Sequence, residues 1–264
     1  MKYSNFVKEC LEQASKVALD GYGRVESKIK SEGNMQVLTE TDLKVGQLII
    51  DKIKSSFPDH NIIDEEAGVI DNGSQFTWTI DPIDGTANYA SKIPMFGIML
   101  GLLENDEPIA GGIVLPVFKE MYYAEKGLGA YCNDEKISVS QVPSLDRNLL
   151  AYLISSHTSD ETITKECELF KKLIPSIMSL RTSNSTAFDG ALVASGRYGI
   201  AMNRTSLIWD CVPLKILVEE AGGVFTGYDG EKIDFSNPTK KSKLYIPFCC
   251  GATDLHKQVQ GLMI

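Results

Sequence analysis

The sequence predicts a layered α/β or α+β fold, and three observations lead to it. Two amphipathic helical patterns open the chain, short β-branched and aromatic runs separated by turn residues fill its middle, and helical and extended patterns alternate through its second half. At 264 residues it is long enough for one large domain or two closely packed halves. We expect a single domain, 1–264, with halves of about 1–145 and 146–264. Hydrophobic residues at 43% and charged residues at 23% are those of a globular chain with a substantial core.

From Ser4, which can serve as an N-cap, Phe6, Cys10, Leu11, Ala14, Val17 and Ala18 recur at helical spacing. The pattern fades at Gly21-Tyr22-Gly23. The charged stretch 24–36 reads as an irregular or mobile segment, or as a hairpin around Gly33-Asn34. Thr39-Glu40-Thr41-Asp42 then opens a second helix, with Val45, Leu48, Ile49 and Ile53 on one face and Phe57-Pro58 at its end. Asp42, in the first turn, would favour the positive helix end by roughly 0.3–1 kcal/mol.

Asn61-Ile62-Ile63 is a short apolar run that ends in Asp64-Glu65-Glu66, and 67–75 reads as a polar loop. Phe76 to Ile80 is a strand that runs into Asp81-Pro82-Ile83-Asp84-Gly85-Thr86-Ala87-Asn88. Pro82 takes the chain out of the ladder, Gly85 permits a tight turn, and Thr86 and Asn88 can cap backbone N–H groups. Two carboxylates three residues apart on such a turn converge, and they repel unless a cation lies between them. A hard cation such as Mg²⁺ is the simplest resolution, although the spacing alone also fits a plain strand-to-turn corner with solvated aspartates. Sixteen residues separate Glu65 from Asp81, enough for the chain to return and bring both acidic ends together.

Strand-like runs follow at 97–103, 109–115, 121–124, 129–132 and 137–139, divided by turn signals at 105–108 and 133–135, as in an antiparallel meander. The second half reads as a strand at 149–154, a helix at 160–173, a strand at 177–180, a helix at 185–194, a strand near 200–202 and a helix at 210–221. Gly222-Gly223 closes that last helix and Val224 to Thr226 resumes extended structure. Asp210 opens this helix as a capping carboxylate, and Glu219-Glu220 reads as helix end rather than a catalytic pair.

A net charge of −9, from 26 basic and 35 acidic residues, argues against nonspecific nucleic-acid binding. A phosphorylated substrate stays compatible with it, because bound metals invert the local potential. The six cysteines (Cys10, Cys132, Cys167, Cys211, Cys249 and Cys250) show no CxxC spacing, so reduced buried thiols in a cytosolic protein are expected rather than a zinc site. No apolar leader or transmembrane-length run is evident, and a cytoplasmic protein with no membrane partner is the expectation.

Three blocks in order resemble the inositol monophosphatase family of Mg²⁺-dependent, lithium-sensitive phosphatases: Ile63-Asp64-Glu65-Glu66, Trp78 through Asn88, and Trp209-Asp210 leading into Glu219 through Gly223. The likeness extends along nearly the whole chain, including Pro94 and Ala194-Ser195-Gly196-Arg197. It implies a layered αβαβα sandwich of the inositol monophosphatase and fructose-1,6-bisphosphatase type, usually a homodimer, which hydrolyses small phosphate monoesters. By resemblance Glu65, Asp81 and the carbonyl of Ile83 would hold a first Mg²⁺. Asp81 would bridge to a second, also held by Asp84 and Asp210, with two or three ions per site. Thr86, backed by Asp42, would orient and help deprotonate a water on the metal, with Glu65 completing the catalytic group. The N–H groups of Gly85 and Thr86 would grip the phosphate. Such chemistry needs positioning and charge neutralisation, so no Ser–His or Cys–His pair and no phosphoenzyme are expected; His60, His157 and His256 form no obvious arrangement.

The substrate end departs from the family. A Gly-Ser/Thr-Ala segment that touches the substrate reads Asn184-Ser185-Thr186-Ala187, and Asn203, seven residues before Asp210, stands where the family often has a glutamate. An amide there changes which polyol or sugar hydroxyls are read. A family lysine before the second helix has Lys28 and Lys30 as candidates. The expected substrate is inositol monophosphate or a related small sugar or polyol phosphate. Fructose-1,6-bisphosphate, histidinol phosphate and 3′,5′-bisphosphate nucleotides are alternatives on the same chemistry, and a non-catalytic metal- or phosphate-binding regulator is an alternative of another class.

Overall fold

The computed structural model describes residues 2–24, 27–31, 34–154 and 159–263. The first apolar stripe forms α1 (Lys2–Gly21), which buries Val7, Cys10, Leu11, Ala14 and Ala18. Ser4 lies inside this helix rather than capping it, and its N–H and Oγ donate to Glu125 at 3.0 and 2.9 Å. The charged stretch that follows is a hairpin, with β1 (Ser27–Ser31) and β2 (Asn34–Thr39) pairing antiparallel. Gly33, His157 and the side chains of Lys28 and Lys30 lie outside the described residues. Next, α2 (Glu40–Ser56) buries Val45, Ile49, Ile50 and Ile53.

An eight-stranded sheet then builds up from β3 (Asn61–Asp64), β4 (Gly68–Ile70), β5 (Phe76–Asp84), β6 (Gly97–Glu104), β7 (Glu107–Leu115), β8 (Glu120–Glu125), β9 (Gly129–Cys132) and β10 (Glu135–Lys136), with α3 (Thr86–Ala90) after β5. Its order is β10-β9-β8-β7-β6-β5-β3-β4, and the meander from β5 to β10 is antiparallel throughout. The expected loop at 67–75 contains β4, which is too short to show a period and exists by pairing with β3. The strand expected at 137–139 falls instead at 135–136, while Val139 turns away and its N–H bonds to the Ala221 carbonyl at 3.1 Å.

The second half supplies β11 (Leu149–Leu153), α4 (Asp160–Leu173), β12 (Ser179–Arg181), α5 (Thr186–Ala194), β13 (Ile200–Asn203), α6 (Ile208–Glu220), β14 (Val224–Gly227), α7 (Pro238–Lys241), β15 (Phe248–Gly251) and α8 (Thr253–Met263). Its strands form a five-stranded sheet of order β12-β11-β13-β15-β14. The layers are helix, sheet, helix, sheet, helix. The outer α1 and α2 cover one face of the large sheet, α5 and α6 lie between the two sheets, and α4 and α8 sit beyond the small one.

Position in the layers explains α6. It buries Ile208 through Val218 on every side, as a helix enclosed by two sheets must. Glycine makes the approach possible: a Cβ on Gly101 would lie 2.7 Å from Val212, and one on Gly111 would lie 2.8 Å from Pro213. These contacts hold the second turn of α6 against the sheet that carries β5. All six cysteines are free thiols, and burial pushes Cys10 and Cys249 up to about 12. Among the described residues no helix is long and apolar enough to cross a membrane.

Candidate active site

The end of β5 and the first turn of α6 meet in a knot of acid. Asp81, Asp84 and Asp210 each offer a carboxylate oxygen within 4.8 Å of the others, and all three are buried. On β5 the pairing with β6 loses register between Asp81 and Asp84, where Pro82 interrupts the ladder. That irregularity lets two carboxylates three residues apart face the same side. Asp210 is the third residue of α6 and not its cap; its Oδ2 reaches back to accept the Leu207 N–H at 2.6 Å.

Burial is the first cause of every shift in this cluster. It raises Asp81 well above the usual carboxylate range, with the charges of Glu65, Asp84, Asp210 and Asp42 adding to it. Asp210 is raised the same way, by burial and then by Asp84. Asp84 is pushed up only to about 6, because Ser185, Ala187 and Thr186 donate to it and stabilise its charge. One oxygen of Asp81 has no hydrogen-bond partner. Buried, mutually repelling and all-oxygen, this set suits a hard divalent cation such as Mg²⁺.

Asp84 is gripped from the second half of the chain. Thr186 and Ala187 donate backbone N–H bonds to it at 3.2 and 2.8 Å, and the Ser185 hydroxyl donates a third, short bond. Ser185 is also the N-cap of α5 and accepts the Phe188 N–H at 3.1 Å. On the other side, the Thr86 hydroxyl lies 2.9 Å from the Ile83 carbonyl and 3.3 Å from Asp42, which is itself buried. Gly85 precedes α3 in a left-handed conformation at φ 82°, and a Cβ there would meet the Met95 carbonyl at 3.1 Å.

A model of the inositol monophosphatase family matches residues 2–254. The chain belongs to this family. It is 33% identical over 226 residues to a fructose-1,6-bisphosphatase/inositol-1-monophosphatase of Aquifex aeolicus, covering 85% of each chain. An inositol monophosphatase structure from Thermotoga maritima superposes with a TM-score of 0.87 at 28% identity, covering 100% of this chain and 97% of the other. An inositol monophosphatase/NADP phosphatase complexed with Mg²⁺ and phosphate has the same fold, with a TM-score of 0.83 at 20% identity over 99% and 94% of the two chains.

Members of the inositol monophosphatase family are phosphoric monoester hydrolases, and this chain is an enzyme of that class. Its sequence-predicted site residues fall in one region. Asp81, Asp84 and Asp210 converge, and Glu65 lies close enough for its charge to act on all three. Asp42 and Thr86 meet, Ser185 and Thr186 bond Asp84, and Asn203 bonds Thr186 at 3.2 Å. Asn184, beside them, is left-handed at φ 58°.

Two expectations are corrected. Neither Thr86 nor Asn88 caps a backbone N–H: Gly85 is the N-cap of α3, while Asn88 donates to the Met95 and Ser183 carbonyls at 2.6 and 2.7 Å. The Thr86 hydroxyl is turned toward the Ile83 carbonyl and Asp42, and the Asn88 amide is held by carbonyls farther along the chain, so neither side chain is free to cap. Asp189 was missed. It is fully buried on α5 beneath the residues that bond Asp84, and one acid inside the apolar run Ala187 to Ala194 was the available signal. The helix-end reading of Glu219 and Glu220 holds: Glu219 pairs with Lys215, and Glu220 accepts the Gly127 and Gly129 N–H groups at 2.8 Å each.

Proposed function

We propose that this protein is a Mg²⁺-dependent phosphomonoesterase that acts on a small sugar or polyol phosphate, inositol monophosphate included. The observation that carries the reading is the buried convergence of Asp81, Asp84 and Asp210 in a chain of this family. Glu65, Asp81, Asp84, Asp210 and the Ile83 carbonyl would hold two or three ions. When bound, these ions would neutralise the carboxylates and the phosphate and lower the pKa of the attacking water.

The chain's own groups do the rest. Thr86 orients the water and Asp42 draws off its proton through the Thr86 hydroxyl, with Glu65 holding the same side of the site. The Gly85 and Thr86 N–H groups hold phosphate oxygens, supported by their position at the start of α3. Asn184, Ser185, Thr186 and Asn203 face the remainder of the substrate. No side-chain nucleophile is required, so the phosphoryl group passes directly to water.

The Aquifex aeolicus relative's double name supports fructose-1,6-bisphosphate as a second substrate within this chemistry. The family resemblance further supports lithium inhibition and a homodimer, and the free cysteines suit a reducing cytoplasm. Phosphate release across a panel of phosphorylated metabolites, with and without Mg²⁺, tests the reading. Mg²⁺-dependent release from at least one sugar or polyol ester is expected. Failure to hydrolyse any of them at any Mg²⁺ concentration would leave a non-catalytic metal- or phosphate-binding role.

A further inference from the structure

Asp64 stands where three strips of the acidic site cross. It ends β3 and pairs with Ile80 of β5, so its neighbour Glu65 leaves the sheet beside Asp81. The Glu65 N–H still donates to the Ile80 carbonyl at 3.2 Å. Glu65, Glu66 and Ala67 then make a three-residue loop, because Asp64 also pairs antiparallel with Gly68 of β4. Gly68 takes the left-handed conformation, at φ 87°, that closes so short a loop.

The Asp64 carboxylate, 1% exposed, turns back into this loop. Its Oδ1 accepts the Glu66 N–H at 2.9 Å and the Ala67 N–H at 2.7 Å. The backbone of Glu65 is therefore held on both sides, by Ile80 before it and by one side-chain oxygen after it. The other oxygen, Oδ2, is buried and has no hydrogen-bond partner among the described residues. It fills a notch at Gly46, one turn of α2 beyond Asp42: a Cβ there would lie 2.8 Å from Oδ2. The same Cβ would lie 3.2 Å from Pro82, which separates Asp81 from Asp84. One side chain thus joins the loop of Glu65 to the helix of Asp42 and the turn of the paired aspartates. Only an acceptor is needed for the two N–H bonds, and an amide oxygen also supplies one.

We propose that Asp64 is a positioning residue whose Oδ1 fixes the loop that presents Glu65 to the cation site, acting as an acceptor rather than through its charge. The inference rests on the phosphatase reading above, in which Glu65 binds Mg²⁺, and adds the group that holds Glu65 in place. A metal ligand that loses the group orienting it typically loses about 10–100-fold in affinity.

Titration calorimetry with Mg²⁺, alongside amide hydrogen exchange, tests this in the native protein, Asp64→Ala, Asp64→Asn and Glu65→Gln. Alanine removes the charge and the acceptor together, whereas asparagine removes the charge and keeps the acceptor. Asp64→Ala should weaken Mg²⁺ binding about 10–100-fold and speed exchange of the Glu66 and Ala67 amides. Asp64→Asn should stay within about threefold of the native affinity and keep those amides protected. Equal losses in the two variants would trace the effect to charge, and native affinity in a folded Asp64→Ala would leave a merely structural role; either result overturns the proposal. Gly46→Ala crowds the carboxylate without removing a polar group, and it carries the comparison should Asp64→Ala not fold. A loss of at least about threefold is then expected, and native affinity with both amides still protected overturns the proposal. If Glu65→Gln binds Mg²⁺ like the native protein, or the native protein neither binds Mg²⁺ nor releases phosphate, the reading beneath the proposal fails and the proposal with it.

Discussion

The backbone N–H of Ala187 donates to Asp84 across 103 residues of sequence at 2.8 Å, alongside bonds from Thr186 and Ser185. One carboxylate of the acidic cluster on the large sheet is thereby oriented by the start of a helix that belongs to the second half of the chain. The N-terminal end of α5 also offers partial positive charge, which suits an anion.

Removing one of these donors should loosen Asp84 without removing it. Ser185→Ala is expected to weaken Mg²⁺ binding about 10–100-fold, as loss of a group that orients a metal ligand typically does. Because Ser185 also caps α5, the same change should cost about 1 kcal/mol of stability. Titration calorimetry and urea unfolding read the two effects separately. Unchanged Mg²⁺ affinity would mean that the two backbone donors suffice.

Thr86 bonds both the Ile83 carbonyl and Asp42 through its hydroxyl. Thr86→Val keeps the shape and loses the hydroxyl, so turnover should fall about 10²–10⁴-fold, the range for a lost proton-transfer group. Mg²⁺ affinity should change little, and Thr86→Ser should restore most of the rate. Single-turnover phosphate release separates this outcome from a general loss of folding.

Asp189 gives a pH prediction that lies outside the metal cluster. It is fully buried, both its oxygens lack a hydrogen-bond partner, and burial pushes it up to about 7. A folded-state value above the unfolded one means that the folded protein holds the proton more tightly. Stability from this group is therefore full below about pH 4 and is lost as pH rises to 7. Asp189→Asn, which cannot ionise, should be more stable than the native protein by about 1–3 kcal/mol at pH 8 and nearly equal to it at pH 4. Urea unfolding at the two pH values decides it.

Removing the metal should expose the repulsion within the cluster. Chelation is expected to lower the melting temperature, and excess Mg²⁺ to raise it in proportion to site occupancy. In metal-free protein Asp84→Asn removes one charge from the cluster, so its response to Mg²⁺ should shrink. A calorimetric scan with and without chelator reads both.

What the sequence revealed follows the range of the interactions. Asp81 and Asp84 flank one proline, so their convergence was written in eleven consecutive residues, Trp78 through Asn88. The helical stripes of α1 and α2 were legible for the same reason, being periodic over several turns. Strand β4 was not, because three residues carry no period and the partner strand decides. Strand β15, Phe248 to Gly251, was read only for its cysteines, although its pairing with β13 and β14 fills the small sheet. Helix α8 carries its apolar stripe in Leu255 and Val259. At the site, the family blocks pointed to Asn203, but its bond to Thr186 depends on Thr205 fixing the amide's orientation, a relation between side chain and backbone that composition and spacing do not carry.

We infer that Asp81, buried with one oxygen unpartnered and acted on by the charges of Glu65, Asp84 and Asp210, holds the cations on which hydrolysis depends. Asp81→Asn changes one charge and almost no volume. Phosphate release by this variant is measured over a Mg²⁺ titration, with its fold checked by circular dichroism. The expected result is a folded protein whose turnover is lost at every Mg²⁺ concentration; a folded variant with near-native turnover would contradict it.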